Sequence, residues 1–497
     1  MTSTSKVAYV RTDMLPEQAP PPGVAGPVKW LRENLFSGWF NSLMTILAIY
    51  VVWSVLSGTL PWVFNGIWDA GSLNECREIR DARGLESAAC WAVINERWLQ
   101  MLFGFYPTDN PVLARLFYAE ELAAAGGAEV VFGGGFNATQ QVEFISAMKD
   151  DVSNAAIFFF GYWRPLAALG LLVVAVAPVL YSNLPRSLLI FSLAYPFIAF
   201  FLLWGGSVWL PVLVALGLLA TVMAGRYASA FVGSLGGLIV SLVVFAIIFM
   251  NPLGAIGVDG LFPLLPQLRG ALDGVMPWGL PYTASENFGG FMLAIIIGTS
   301  GIVLSLPLGI ALALGRQSSM PLIKWVCVSF IEVIRGVPLI VWLFTASTLL
   351  NYFLPPGTTF DLLLRVIIMV TLFASAYLAE VVRGGLAALP KGQYEAADSL
   401  GLDYWKSMRL IILPQALKIS IPGIVNTFIG LFKDTTLVVF IGLRDPLGLT
   451  NAIRATSEWN GIYWELYIFV GGLFFMFCFF MSRYSMYLER RLRTDHR

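Results

Sequence analysis

Histidine is almost absent: a single imidazole, His496, lies in the last residues of a 497-residue chain. A His-ligated metal enzyme, a zinc site and a Ser-His-Asp hydrolase each need imidazole inside the fold, so those classes drop out and no metal site is expected. Charge is also scarce. Lys+Arg 31 and Asp+Glu 31 make up 12% of the chain and cancel to zero, against roughly 25% in soluble domains. No basic block is interleaved with aromatics, so nucleic acid has no electrostatic footprint to bind. No G-x-x-x-x-G-K-[ST] phosphate loop occurs, so any ATP hydrolysis belongs to another chain. Apolar side chains are what is abundant, 57% of the total, with a mean hydropathy of +0.74. Such a chain exposes its apolar surface to lipid, as an integral membrane protein.

Residues 1–30 are polar and rich in proline (Pro16, Pro20, Pro21, Pro22, Pro27), a composition that buries little and reads as a disordered tail. Stretches long enough to cross a hydrocarbon layer of about 30 Å at about 1.5 Å per residue then occur near 39–63, 162–182, 187–204, 209–224, 232–250, 288–315, 322–350, 361–382, 419–442 and 462–482. The fold class is therefore all-α and polytopic, with about ten transmembrane helices; the run at 209–224 is the shortest and reads as tilted or partly interfacial. Threading ten spans from a cytoplasmic N-terminus puts Lys6, Arg11, Arg316, Lys324, Arg383, Lys391, Lys406, Arg409, Lys418 and the basic C-terminal end on one side. That is the positive-inside pattern, with both termini cytoplasmic. The opposite side receives an acidic segment of about 64–160. Cys76 and Cys90 fall in it, where an oxidising compartment would allow a disulfide and the alternative is two free thiols. Cys327 and Cys478 sit in apolar spans as small hydrophobes.

The segment Arg383–Lys418 has punctuation of its own. Pro390 and Gly392 break the preceding helix, Tyr394–Leu400 forms a short helix, Gly401 permits a sharp turn, and Asp403 can N-cap a second helix ended by Pro414. Trp405, Met408 and Ile412 recur at helical spacing on one face, with Lys406 and Arg409 on another. Such a helix either rests on headgroups or docks as a knob into a cytoplasmic partner.

Glu395-Ala396-Ala397, Gly401 and Ile411-x-Leu413-Pro414 match, position for position, the spacing E-A-A-x3-G-x9-I-x-L-P. This resembles the cytoplasmic loop of permease subunits of bacterial ABC importers. Phe330-Ile331-Glu332-Val333-Ile334-Arg335-Gly336-Val337-Pro338-Leu339, Gly392-Gln393, Asn426 and Lys433-Asp434-Thr435-Thr436-Leu437 are similar to the polar amino-acid branch. The resemblance covers about residues 285–490 and implies a type I importer core of five helices. Residues 39–284 form a five-span extension. With Gly38-Trp39-Phe40, Cys90-Trp91-Ala92-Val93, Phe103-Gly104-Phe105-Tyr106-Pro107 and Trp163-Arg164-Pro165, it resembles the M-type permease of general L-amino-acid (glutamate/glutamine/aspartate/asparagine) importers. Residues 108–160, with Gly133-Gly134-Gly135, read as an insertion in that pattern, and 1–38 and 491–497 as cytoplasmic tails.

The resemblance implies a bacterial inner membrane location and a division of labour. An external binding protein delivers an L-amino acid, this chain and a second permease form the path, and two cytoplasmic ATPase subunits hold ATP and Mg, with no cofactor in this chain. Gly392, Glu395, Ala396, Ala397, Gly401, Tyr404, Trp405 and Met408 would transmit ATPase closure. Charges within spans are functional candidates because they cost at least about 2.5 kcal/mol at the bilayer centre. Glu332 and Arg335, one turn apart before the break at Gly336 and Pro338, could receive a zwitterion or form a structural ion pair. Lys433 and Asp434, adjacent in sequence, point about 100° apart on a helix and should face different neighbours. Thr435 and Thr436 either line the path or bond back to their own helix. The competing function is a gradient-driven secondary transporter, which would show pseudo-symmetric halves; no second E-A-A-like loop occurs in residues 1–284.

Overall fold

A computed structural model describes residues 26–181, 183–249, 264–349, 352 and 361–492. Most of the Pro-rich tail, the C-terminal end from 493 and part of the connection after 249 lie outside the described residues. The chain divides into two compact units, Met1–Asn95 and Glu96–Arg497.

The first unit contains α1 (Pro27–Asn34), α2 (Trp39–Phe64) and α3 (Leu73–Ala82). In α2 apolar residues occur all round the helix, the composition of a membrane-spanning segment. After it the chain turns back through a compact loop. Ile67 N–H donates to Ala89 O at 2.8 Å, Trp91 stacks on Trp68 and donates its indole N–H to Val63 O at 3.0 Å, and a disulfide joins Cys76 to Cys90. Ser72 caps α3 by accepting from Glu75 N–H.

The second unit begins within α4 (Ala92–Phe103). A helical cluster follows: α5 (Asn110–Phe117), α6 (Ala119–Ala124), α7 (Ala128–Phe132), α8 (Ala138–Asp151), and the short α9 (Asn154–Ala156), which continues as a π turn over Ile157–Gly161. Residues 108–160, expected as an insertion, form a folded helical body. Leu113, Val131 and Met148 are fully buried in it, and the rings of Tyr118, Phe132 and Phe136 meet Phe144 edge-on. Next come α10 (Trp163–Leu180), α11 (Leu188–Trp204), α12 (Trp209–Gly233), α13 (Gly236–Phe249) and α14 (Leu264–Val275). A two-residue antiparallel pair, β1 (Gly206–Ser207) with β2 (Gly279–Leu280), aligns Gly206 with Leu280.

The remaining helices are α15 (Gly290–Arg316), α16 (Pro321–Gly336), α17 (Leu339–Phe344), α18 (Leu362–Ala387), α19 (Lys391–Ser399), α20 (Tyr404–Ser407), α21 (Leu413–Asp434), α22 (Pro446–Ile453) and α23 (Trp464–Leu492). Small residues Gly298, Gly301, Ser305, Gly309 and Ala313 line the buried side of α15, so α18 and α21 can approach closely, the usual device where lipid gives no hydrophobic drive. Phe291 of α15, Phe432 of α21 and Phe474 and Phe477 of α23 interlock as one aromatic cluster.

Among the described residues six helices are each long and apolar enough to cross a membrane. Two bent pairs qualify jointly: 154–161 with 163–178, bent by 65°, and 321–336 with 339–349, bent by 102°. Leu188–Trp204 and Gly236–Phe249 are shorter and apolar. The run expected to be short at 209–224 is a 25-residue helix to Gly233. Arg226 and its small neighbours dilute the hydropathy there but contain no helix breaker.

A polar seam joins residues 96–107 and 164–205 to the start of α15. Gly104 bridges Phe288, and Gly290 N–H donates to Arg444 O at 2.8 Å. Gly290 has φ +60°, and a Cβ there would lie 2.5 Å from Met101 O, so only glycine fits. The fully buried Trp459 donates to Glu96 at 3.1 Å. Buried Arg164 spends its guanidinium on backbone oxygens of Leu202, Pro281 and Leu203, so Trp163-Arg164-Pro165 is a structural motif that satisfies carbonyls left free where α11 ends.

Asp445, fully buried, caps α22 by accepting from Gly448 N–H at 2.8 Å and Leu447 N–H at 3.2 Å. Burial pushes its carboxyl up to about 6 from 3.8, against the lowering effect of those hydrogen bonds. An acid whose folded pKa is raised binds its proton more readily when folded. Between about pH 4 and 6, stability therefore falls as pH rises, and it is level above that window. The expected change is up to about 2–3 kcal/mol. Asp445→Asn keeps a capping oxygen and should remove this component, read as the difference between the two proteins in unfolding midpoint at pH 4.5 and pH 7 in detergent.

Candidate functional site

The loop between α18 and α21 is a rigid two-helix unit. α19 ends in a glycine turn: Leu402 N–H donates to Ala397 O at 3.3 Å and Gly401 N–H to Asp398 O at 2.9 Å, with Gly401 at φ +68°. This is the left-handed stop that satisfies the last carbonyls of a helix. Asp403 then caps α20 through Lys406 N–H at 2.8 Å.

Pro414 does not end this helix. α20 passes through a π turn, Met408–Ile412, straight into α21, making one apolar run of 38 residues from Tyr404 to Ile441. The widened π turn just before Pro414 accommodates the proline ring and its missing N–H within the run. The expected Trp405, Met408 and Ile412 stripe is only partly buried. Met408 is 7% exposed and Ile412 buried, whereas Trp405 is 70% exposed.

Met408, Ile412 and Ala416 pack with Ala313, Ile331 and Leu386 in one buried cluster. Met408 is therefore an anchor between loop and spans, and Ala397 is fully buried. Gln393 and Gln415 close the unit with a side-chain hydrogen bond of 2.9 Å. Gly392, Glu395, Ala396, Gly401, Tyr404 and Trp405 are exposed, and Leu400, which the motif reading passed over, is 72% exposed beside them. Tyr404 and Trp405 meet edge-on at 5.4 Å. The loop thus presents aromatic and leucine side chains outward next to a small Ala396, a surface fit to enter a cleft.

At the loop-side end of the spans lies a charge network. Glu332 and Arg335 form no ion pair with each other among the described residues; each reaches another helix. Arg316, in the last turn of α15, contacts Glu332 at 3.0 Å and Glu380 of α18 at 2.6 Å. Arg383 reaches Glu380 at 2.9 Å, and Arg335 stands 3.8 Å from it and over the Tyr377 ring. Three helix ends therefore converge on Glu380. Sequence reading missed Arg316, Glu380 and Arg383, although a Glu in an apolar span with Arg at i+3 was the available signal.

Lys433 and Asp434 lie at the far end of α21, about 30 Å from its start by helical rise. Lys433 is exposed and Asp434 half-buried, with no ion pair between them among the described residues. Thr435 and Thr436 donate back to Phe432 O at 2.8 Å and Lys433 O at 2.9 Å. These four are not brought together with Glu332 and Arg335.

The described residues thus combine several helices long and apolar enough to cross a membrane with a two-helix loop that exposes Tyr404 and Trp405, the architecture of a polytopic membrane protein. Residues 305–494 match the model of the binding-protein-dependent transport system inner membrane component. The chain is 49% identical, over 99% of its length and 100% of the relative, to the glutamate/glutamine/aspartate/asparagine transport system permease protein BztC of Rhodobacter capsulatus. It is 34% identical, over 94% and 93%, to the inner membrane amino-acid ABC transporter permease protein YhdY of Escherichia coli. A solved amino acid ABC transporter with histidines matches 40% of this chain and 91% of its own at 32% identity, with a TM-score of 0.37. The chain belongs to the family of inner-membrane permeases of binding-protein-dependent ABC transport systems, and is a multi-pass inner membrane protein.

Proposed function

We propose that this permease imports L-amino acids of the glutamate, glutamine, aspartate and asparagine class. Identity of 49% along the whole chain, extension included, to a permease named for those substrates supports the assignment. In this reading the chain pairs with a second permease to enclose the path, receives substrate from an external binding protein, and has both termini in the cytoplasm. Two ATPase subunits hold ATP and Mg; this chain is non-catalytic.

The observation that carries the coupling mechanism is the loop itself. Its outward face of Leu400, Tyr404 and Trp405 enters the ATPase, while Met408 packs into the cluster shared with the spans. Closure of the ATPases then displaces α18 and α21 together, because the loop is continuous with both and pinned by Gln393 to Gln415. Lys433 and Asp434, at the other end of α21, are the charges placed to meet substrate along the path.

The test is purification of the tagged complex in mild detergent, with ATP hydrolysis measured with and without binding protein and each amino acid. Recovery of a second permease and an ATPase, with hydrolysis stimulated by these four amino acids, is the expected result. Recovery of the chain alone, with uptake driven by an ion gradient in proteoliposomes, would replace this reading with a secondary transporter.

A further inference from the structure

The 108–160 body and the turn after it carry an exposed apolar patch. Leu116 and Phe117 of α5, and Phe159 and Phe160 of the π turn, are all exposed, Phe159 to 61%. Phe117 and Phe160 lie together, with ring centroids 5.5 Å apart. Exposing this much aromatic surface to water is unfavourable, at about 25 cal/mol per Å² of apolar area, and contiguous apolar patches on a soluble surface mark an interaction site.

The height of the patch is fixed by the chain around it. The π turn leads directly into the span that begins at Trp163, bent from it by 65°. Asp109, the cap of α5, accepts the Trp163 indole N–H at 2.6 Å, and its backbone N–H donates to Gly161 O at 2.8 Å. Leu113, on the buried side of α5, packs toward Gly161. α5 is therefore pinned to the first turn of a membrane span, at the level where a Trp anchors to the interface. Further along the span that follows, Leu169, Val173 and Val174 of α10 are exposed as lipid-facing residues are. Exposed Glu120 and Glu121 follow at once on α6, which suits a segment returning to water.

We propose that α5 and the 154–161 segment form a foot that lies in the membrane interface, burying Leu116, Phe117, Phe159 and Phe160 among lipid acyl chains beside α10. The partner is a lipid surface, reached by a monotopic insertion in addition to the spans. It would hold the 108–160 body at a fixed depth while the spans move.

The experiment uses the whole transport complex in nanodiscs of phosphatidylethanolamine and phosphatidylglycerol. Cys327 and Cys478 are replaced by Ser, and a spin label is placed at Phe117→Cys, Phe160→Cys or, as an aqueous reference on α8, Glu143→Cys. Labels at 117 and 160 should be more accessible to oxygen than to the water-soluble nickel-EDDA complex, and the ratio should invert at 143. Nickel access at 117 and 160 matching that at 143 would overturn the proposal, as would exclusion of both quenchers, which would mean that protein covers the patch. The unsubstituted complex provides a second reading. A phospholipid with a diazirine on its acyl chain should label peptides spanning 110–118 and 154–162 on illumination, and absence of label there, with label present on α10, would equally reject the foot.

Discussion

Gly401→Val is expected to lower substrate-stimulated ATP hydrolysis and transport by about tenfold or more, while Gly401→Asn retains most of both. The reasoning starts from the backbone. Gly401 holds φ +68° with nothing within 4 Å of an added Cβ, so a side chain meets no neighbour and the whole effect is conformational. A non-glycine residue in the left-handed region costs about 1–2 kcal/mol, and a β-branched one is a true outlier there. Asn is among the residues that tolerate it. A valine relieves the strain by leaving the left-handed region, which breaks the Leu402 N–H to Ala397 O bond and turns α20 away from α19. Leu400 would then no longer stand beside Tyr404 and Trp405. Misplacing the contact by the strain energy alone amounts to about a tenfold loss, at 1.36 kcal/mol per decade. Gly384→Ala is the control: that site is also open, has no positive φ, and lies within α18, where Ala is the better helix former. Equal activity of Gly401→Val and wild type in the assembled complex would show that the turn does not position the docking face.

The loop was legible because its chemistry is local. A cap at Asp403, a stop at Gly401 and the spaced E-A-A pattern are each decided within a few residues, and the folded loop has those bonds. Its limits were harder to read. Pro414 looks like a terminator in sequence, and only the π turn over Met408–Ile412, whose register no short-range pattern announces, shows that α20 and α21 are one run. Helical spacing also put Trp405 with Met408 on one face, whereas Trp405 is exposed and Met408 buried. Apolar stretches were visible along the whole chain from hydropathy alone, since lipid imposes composition on every exposed turn. The ionic network was not, because its partners are 16 and 64 residues apart. Glu332 and Arg335 were read through their sequence spacing, whereas tertiary packing gives each a partner on another helix. The 108–160 body was seen as an insertion and no more: its short helices lack a sustained period, and they are held by Phe144 and Asp109 through contacts that sequence does not order.

Glu380→Ala is expected to destabilise the folded permease by about 2–3 kcal/mol, with Glu380→Gln about half as costly. One carboxylate, 17% exposed, accepts from Arg316 and Arg383 and stands near Arg335. Hydrogen bonds to charged groups contribute about 1.5–3 kcal/mol each when shielded, but Arg383 and Arg335 are substantially exposed, and exposed pairs contribute only about 0.2–1 kcal/mol. The Arg316 contact therefore dominates the sum. Gln keeps an acceptor oxygen, which is why it costs less. Glu332→Gln should shift stability by less than about 0.5 kcal/mol, since its carboxylate is 56% exposed. The decisive measurement is a double-mutant cycle of Glu380→Gln with Arg316→Gln, followed by thermal unfolding in detergent and by transport of the assembled complex. If the pair ties α15 to α18, the two changes will be less than additive by about 1 kcal/mol or more. The double variant will then lose less transport than the two single losses combined, because the second change removes a partner already lost. Additive losses in both measurements would mean that the two helices are held by the small-residue packing of α15, and that the ions at their ends do not link the spans to the loop.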